Sequence, residues 1–413
     1  MTTRWGLPRP RFTSPSSASP RAGNEAAPCN IALMRQAQSA KKGVKEAGGT
    51  PREFCTITVT DGIAMGHEGM KSSLVSREVI ADSVELTMRG HCYDALVGIA
   101  GCDKSLPGMM MSMLRLNVPS VFLYGGSIKP GHFRGRDVTV VDLFEGVGMH
   151  SAGKMSDADL HELECVACPG AGACGGQFTA NTMACVAEAI GLALPYSSGP
   201  PAELLSRDDF ALQAGQAVMD LLAKNIRPRM IATRKAFENA ARVVAATGGS
   251  TNAALHLPAM ANECGIKFDL FDVAEVFRST PYLASLKPGG QFVAKDMWEA
   301  GGVPMLMRAL LDGGYLHGDL PDRHRQDGGG ESQGREIQSG PEGDARHDQP
   351  AGADRRRGRP EGQPGARGRH REGRRPQAHP SSRPGARLRM RGRLLRRGRT
   401  PRLPGRRRAR HPL

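Results

Sequence analysis

Short apolar runs alternate with longer stretches of helical spacing through the middle of the chain. Uninterrupted apolar runs that end in glycine-containing turns predict buried strands at 55–61, 94–101 and 120–126. Apolar residues at helical spacing predict helices at 77–90, 109–117, 181–194, 236–246 and 251–265. This alternation predicts an α/β fold with a largely parallel sheet, in which ligands bind at the carboxyl ends of the strands.

The pattern stops after Asp319, where the composition changes abruptly. Residues 320–413 contain 26 Arg, 10 acidic residues and no Lys, Val, Phe, Tyr, Trp or Cys. We expect this Arg/Gly/Pro-rich tail to be disordered, because it offers too little apolar surface to offset chain entropy. The net charge of the tail is +16, whereas that of residues 1–319 is −1. The net charge of residues 1–319 therefore does not indicate a nucleic-acid partner. An Arg-tailed, RNA-associated protein is the alternative function from another class.

The tail composition is also typical of GC-rich DNA translated out of frame. One codon assignment for residues 321–331, read one base later, encodes LTVTGKTVAE, which is an ordinary strand, turn and helix start. A shift of two bases in residues 13–23, a Ser/Pro/Ala string, allows PIVGIA and then Trp before Asn24. We therefore expect residues 1–23 and 320–413 to be out of frame and non-native, and 24–319 to be the interpretable α/β domain.

Cysteine usage and hydropathy indicate the compartment. No run approaches the 18 apolar residues of a membrane span, and the N-terminus lacks the pattern of a signal peptide. The nine cysteines all precede residue 265, which is typical of a reduced intracellular protein with metal-binding or catalytic thiols. We expect a cytoplasmic protein with no membrane partner.

Four short motifs carry the candidate chemistry, and each follows or lies near a predicted turn. They are Pro28-Cys29-Asn30, the segment 61–67 that begins with Asp61, Cys102-Asp103-Lys104, and the glycine-rich segment 168–176 that contains Cys174. Thiolates favour iron–sulfur clusters or zinc, and carboxylates favour Mg²⁺. The adjacent Cys102 and Asp103 could therefore help to hold two different metals close together.

Each of these residues also has a plainer interpretation. Asp61 could cap a turn, and Asp103-Lys104 could be a solvated ion pair. The segment 248–252 could cradle a carboxylate at a helix start or serve only as a capping turn. Among the other cysteines, Cys165 and Cys168 form a C-x-x-C without a second pair, and we expect small hydrophobic roles for Cys55, Cys92, Cys185 and Cys264.

Several long strings resemble the family of dihydroxy-acid and sugar-acid dehydratases over residues 24–319. They are PCN (28–30), DGIAMGHEGM (61–70), SREVIADSVE (76–85), GCDKSLPGMMM (101–111), ACPGAGACGGQFTANTM (167–183), GGSTNAALHL (248–257) and AGGVPMLMRALL (300–311). The resemblance implies a hydro-lyase that removes water from a small 2,3-dihydroxy acid to give a 2-oxo acid. The branched-chain acids of valine and isoleucine biosynthesis are the first substrate expectation, and gluconate-type sugar acids are the alternative.

The resemblance also implies cofactors and site residues. Cys29, Cys102 and Cys174 would hold a [2Fe–2S] cluster, and Asp61, Asp103 and Lys104, the last as a carbamate, would bind Mg²⁺. The family's base is a serine of a C-terminal β-rich domain, which also supplies a Glu ligand to Mg²⁺, and neither has a counterpart in this chain. We therefore expect no catalytic base here and an inactive chain as written, from a family that is typically homodimeric.

Overall fold

The structure, a computed structural model, describes residues 15–319. Its centre is a parallel sheet with the strand order β2-β1-β3-β4. The strands are β1 (Ser16–Ala22), β2 (Thr50–Thr56), β3 (Ala95–Ala100) and β4 (Ser120–Tyr124). The predicted α/β class with a parallel sheet is confirmed.

Helices fill the connections between the strands and the rest of the described chain. They are α1 (Pro28–Ile31), α2 (Leu33–Glu46), α3 (Asp61–Ala64), α4 (Lys71–Gly90), α5 (Ser105–Leu116), α6 (Val140–Ser151), α7 (Asp157–Val166), α8 (Thr179–Ile190), α9 (Ser206–Ala223), α10 (Pro228–Ile231), α11 (Arg234–Ala246), α12 (Ala253–Glu263), α13 (Leu270–Arg278), α14 (Ala294–Glu299) and α15 (Gly302–Asp312). A small antiparallel hairpin, β5 (Gly131–Phe133) and β6 (Arg136–Val138), lies outside the main sheet.

The sheet is covered by helices on both faces. Val97 and Val121 belong to a core shared with α2 and α9, whereas Leu96 and Phe122 belong to a core shared with α4, α5, α8 and α11. Because β3 and β4 are buried on both faces, their sequences are continuous apolar runs. That property is why both strands could be predicted in nearly their observed positions.

The strand β2 begins five residues before the predicted strand 55–61 and ends at Thr56. Only Pro51 and Thr56 of this edge strand are buried, so its sequence, TPREFCT, contains no apolar run. The apolar-looking Ile57 that follows it is exposed. The predicted strand therefore covers mainly the loop that leads to α3.

The strand β1 forms from residues that were expected to contribute no native structure. It pairs along its whole length with β2, from Ser16 opposite Thr50 to Ala22 opposite Thr56. Backbone pairing on both sides does not require apolar side chains, so a string without apolar periodicity can occupy the centre of the sheet. The reading frame of residues 1–23 stays a prediction.

Between residues 15 and 319 we find no helix that is both long enough and apolar enough to cross a bilayer. The predictions for residues 1–14 and for the Arg-rich tail 320–413, including its disorder and the RNA-associated alternative, lie outside the described residues.

Candidate metal centre at the carboxyl ends of the strands

The strand order places a crevice between the carboxyl ends of β1 and β3. The chain leaves β1 towards β2 on one side and leaves β3 towards β4 on the other, which makes this point the topological switch of the sheet. In open parallel sheets, ligands bind at such a point. Cys29 lies in the helix α1 after β1, and Cys102 follows β3 directly.

Cys29 and Cys102 are buried side by side. A carbon added at Gly101 would lie 2.0 Å from the Cys29 carbonyl oxygen, so only glycine allows these two segments to approach. The neighbouring Cys102 and burial raise the pKa of Cys29, whereas Cys29 lowers the pKa of Cys102. Cys102 is therefore the thiol of this pair that ionises more readily.

Cys174 joins them from the irregular segment between α7 and α8. The Gly172 N–H donates to the Pro28 carbonyl at 2.8 Å, which ties this segment to the residue before Cys29. Burial raises the pKa of Cys174, and the negative charges of Asp103 and Cys102 raise it further. Three thiols from distant parts of the sequence are thus close enough to influence one another's ionisation.

Two carboxylates and a lysine form a second buried group beside the thiols. Asp61, the first residue of α3, accepts hydrogen bonds from Ser73 Oγ at 2.5 Å and from Lys104 Nζ at 2.6 Å. Lys104 Nζ also lies 3.7 Å from Asp103 Oδ2. Burial, followed by the charge of Asp61, raises the pKa of Asp103 to about 6. The charge of Asp103 in turn raises the pKa of Cys29, so the two groups adjoin.

The segment 248–252 borders this carboxylate group through α8. Thr179 at the start of α8 hydrogen-bonds to Asp103 and accepts from Asn252 Nδ2 at 2.7 Å. Ser250 N donates to Thr182 Oγ1 at 3.0 Å. The segment is therefore held against the site by its polar side chains and backbone, whichever of its two predicted roles it plays.

The donor set can be compared with the metals that the resemblance implies. Three thiols suit an iron–sulfur centre, because thiolates are its usual ligands. The raised pKa of Asp103 shows two carboxylates whose charges oppose each other, and a cation would relieve that opposition. Within residues 15–319, no three His, Cys, Asp or Glu side chains are grouped closely enough to hold a metal ion. A magnesium ion here would need oxygen ligands beyond Asp61 and Asp103.

The structure brings all six predicted site residues into this one region, and their roles stay predictions. The alternative C-x-x-C pair lies at the end of α7, where Cys165 and Cys168 are exposed, although Cys168 is within electrostatic reach of Cys174. Cys185 is buried as expected. The expected core role is wrong for Cys92, which is exposed in a left-handed turn after α4, and Cys55 is also exposed.

Sequence reasoning missed several polar residues around the thiols and carboxylates. They are Ser73, Arg77, Tyr124, Thr179, Asn181 and His256. They lie on β4 and on the helices α4, α8 and α12. A buried polar residue inside an apolar run is the one signal that could have marked them.

Comparison with known proteins assigns the family. The family profile described as dihydroxy-acid/6-phosphogluconate dehydratase N-terminal matches residues 20–327. The dihydroxy-acid dehydratase of Pelagibacter ubique is 78% identical over 296 residues, which are 72% of this chain and 52% of the relative. That of Parvibaculum lavamentivorans is 74% identical over 314 residues, 76% of this chain and 54% of the relative.

A more distant relative matches over the same part of the chain. The dihydroxy-acid dehydratase of Metallosphaera sedula is 52% identical over 298 residues, 72% of this chain and 54% of its own length. The chain thus spans about half the length of the curated relatives it matches. On the family profile and these identities, the chain belongs to the dihydroxy-acid/6-phosphogluconate dehydratase family.

Proposed function

We propose that residues 24–319 provide the metal-binding half of a dehydratase that removes water from a 2,3-dihydroxy acid. The observation that carries this proposal is the convergence of three thiols and two carboxylates at the switch point of the sheet. The elimination breaks the C2–H and C3–O bonds and releases water, and the resulting enol tautomerises to a 2-oxo acid. Branched-chain dihydroxy acids are the preferred substrates, because the relatives described above are named dihydroxy-acid dehydratases.

The thiol group is assigned to a [2Fe–2S] cluster. Cys29, Cys102 and Cys174 would be its protein ligands, and three thiolates leave one iron position open. When bound, the cluster supplies a Lewis acid that weakens the bond to the departing 3-hydroxyl. The effect of Cys29 and Cys102 on each other's pKa supports this assignment, because such an effect requires the two buried side chains to be close neighbours.

The carboxylate group is assigned to Mg²⁺. Asp61 and Asp103 would bind the ion, which would hold the substrate carboxylate and 2-hydroxyl. As an ammonium, Lys104 is itself the cation between the carboxylates. As a carbamate it would supply an oxygen anion and complete more of the ligand set. Its Nζ position, 2.6 Å from Asp61 Oδ2 and 3.7 Å from Asp103 Oδ2, supports this role.

The protein itself prepares the site by excluding water and fixing orientation. Cys29, Cys102, Asp61 and Lys104 are all at least nine-tenths buried, so charges there interact more strongly than on the surface. Ser73 and Thr179 hold the two carboxylates by hydrogen bonds. The preorganised dipoles then need little rearrangement during the reaction.

Cluster assembly tests the proposal on the chain as it exists. Anaerobic reconstitution with iron and sulfide should give about two irons per chain and the visible spectrum of a [2Fe–2S] protein. Cys29→Ser, Cys102→Ser and Cys174→Ser should each lose most of the cluster. Cys264→Ser is the matched control and should retain the cluster, because Cys264 is a partly buried cysteine packed against the core just after α12. Equal iron in the three variants and the control would contradict the assignment.

We further propose that this chain alone turns over no dihydroxy acid above background, even with both metals bound. The support is that the matched residues cover only about half of each relative, and we assign the proton-abstracting serine to the other half. The assay measures 2-oxo acid formed from 2,3-dihydroxy-3-methylbutanoate and from gluconate. Turnover of either acid by the reconstituted chain would refute this. Homodimer formation, which the family implies, can be checked by sedimentation of the same sample.

A further inference from the structure

Cys174 depends on irregular backbone more than the other two proposed ligands do. Cys29 is part of α1, and Cys102 is fixed between β3 and α5 by reciprocal hydrogen bonds with Ser105. Cys174 lies between the end of α7 at Val166 and the start of α8 at Thr179. Whatever holds the backbone of residues 174–176 therefore sets the position of its sulfur.

The Asn181 side chain hydrogen-bonds to this backbone at two places. The Asn181 amide Nδ2 donates to the carbonyl oxygen of Cys174 at 2.5 Å and to that of Gly176 at 2.6 Å. Asn181 is buried in the first turn of α8. Both amide hydrogens are thereby used, so the two carbonyls flanking Gly175 are tied to the same nitrogen.

Tyr124 fixes the orientation of that amide. The Tyr124 hydroxyl donates to Asn181 Oδ1 at 2.6 Å. If the Asn181 amide flipped, its oxygen would face two carbonyl oxygens, and the two hydrogen bonds that its nitrogen donates would be lost. Burial raises the pKa of Tyr124 by more than the charge of Arg207 lowers it, so the hydroxyl keeps the proton that it donates.

Tyr124 in turn is held rigidly at the end of β4. It is 1% exposed, and the Arg207 guanidinium lies over its ring at 5.6 Å from the centroid. Arg207 is fully buried and donates to the Ser197 carbonyl. A chain of buried contacts thus runs from Arg207 through Tyr124 and Asn181 to the backbone of Cys174.

We propose that Tyr124 and Asn181 are positioning residues that hold the Cys174 sulfur in place for the cluster. The inference rests on the proposed function, since it takes Cys174 as a cluster ligand. Neither side chain is assigned contact with substrate or reacting atoms. Their loss should loosen the Cys174 segment and shorten the lifetime of the bound cluster, because partners that orient metal ligands commonly contribute ten-fold or more to metal affinity.

The test follows cluster loss in the reconstituted full chain. Tyr124→Phe removes only the hydroxyl. Asn181→Leu removes both hydrogen bonds to the backbone of residues 174–176 while keeping a side chain of similar volume. We expect the bleaching of the cluster absorbance by a chelator to quicken by about 3-fold or more in Tyr124→Phe and by about 10-fold or more in Asn181→Leu. The visible circular dichroism of the remaining cluster should also change.

Asn239→Leu is the matched control. Asn239 is similarly buried and exchanges two hydrogen bonds with the backbone of His317, and neither of these hydrogen bonds within residues 15–319 involves the Cys174 segment. Its rate of cluster loss should stay within about 2-fold of the unmodified chain, since no ligand-orienting partner is removed.

The outcomes separate this inference from the function on which it rests. If the unmodified chain assembles no cluster, the cluster assignment falls and this inference falls with it. If the cluster assembles but is lost at the same rate in Tyr124→Phe and Asn181→Leu, only the positioning role is overturned. Equal acceleration in Asn239→Leu would also overturn it, because general loosening would then explain the effect. If Asn181→Leu fails to fold, Tyr124→Phe decides.

Discussion

His256 shows how a single buried residue can govern a measurable property of the whole chain. Its Nδ1 lies 3.1 Å from Arg77 Nη1, and because a guanidinium can only donate, Nδ1 must carry a lone pair. The proton is therefore on Nε2, which has no hydrogen-bond partner within the described residues. Burial, followed by the charges of Arg77 and Lys104, lowers the pKa of His256 to about 3.

This depressed pKa predicts a loss of stability in mild acid. The unfolded chain takes up a proton at His256 near its ordinary pKa of about 6.5, whereas the folded chain does so only near 3. The contribution is present above about pH 6.5 and is lost as the pH falls, by up to about 3 kcal/mol near pH 4. His256→Gln removes this titration.

Urea unfolding at several pH values checks it. The free energy of unfolding of the unmodified chain, minus that of His256→Gln, should shrink steadily from about pH 7 to about pH 4. The same change at His132, which is exposed on the small hairpin, is the control for the substitution itself. A difference that stays constant over this range would show that His256 is not held neutral by the fold.

Residue chemistry could be predicted from the sequence only where the motif itself was informative. Cys29, Cys102 and Cys174 come from separate segments, and it was the family resemblance that grouped them with Asp61, Asp103 and Lys104. Tyr124 and Asn181 could not be found in this way. Their importance depends on the hydrogen bond between Tyr124 and Asn181, which are 57 residues apart and meet only after the chain has folded.

The strand β1 is the element whose side chains fit their position least well. It lies between β2 and β3, yet Ser17 and Ser19 are fully buried with hydroxyls that find no partner in residues 15–319. Pro20, which lacks an N–H to donate, also lies in this central strand. A central strand of a parallel sheet normally favours branched apolar residues.

Removing those hydroxyls should therefore stabilise the fold. Ser17→Ala and Ser19→Ala should each raise the free energy of unfolding by about 1 kcal/mol, because an unpaired buried hydroxyl carries a desolvation penalty without compensation. Ser120→Ala in β4 is the control. Its hydroxyl donates to the Val118 carbonyl at 2.6 Å, so its removal should lower stability instead. Denaturant midpoints measure all three, and a loss of stability in the β1 variants would show that the serines do find partners.

At the level of elements, the sequence predicted best what is uniformly buried. β3 and β4 were found because both faces are covered, whereas the edge strand β2 was displaced by five residues and β1 was missed. The position of β1 depends on its pairing with β2 and β3, and no local sequence pattern in residues 16–22 indicates that pairing. The order of the strands likewise depends on long-range contacts.

At the scale of the whole molecule, the sheet order explains why distant motifs meet. Because β1 and β3 are neighbours and their connections diverge, the residues that follow them border one crevice. The prediction that ligands bind at the carboxyl ends of the strands could be made from the alternation of elements alone. Which ends adjoin could not, since it depends on β1 entering the sheet between β2 and β3.

Three thiols from separate segments are proposed to share one inorganic centre. The most direct measurement is anomalous diffraction at the iron edge from crystals of the anaerobically reconstituted chain. We expect one pair of iron peaks, at bonding distance from the sulfurs of Cys29, Cys102 and Cys174. Iron bound instead at the exposed Cys165 and Cys168, or at only one of the three sulfurs, would contradict it.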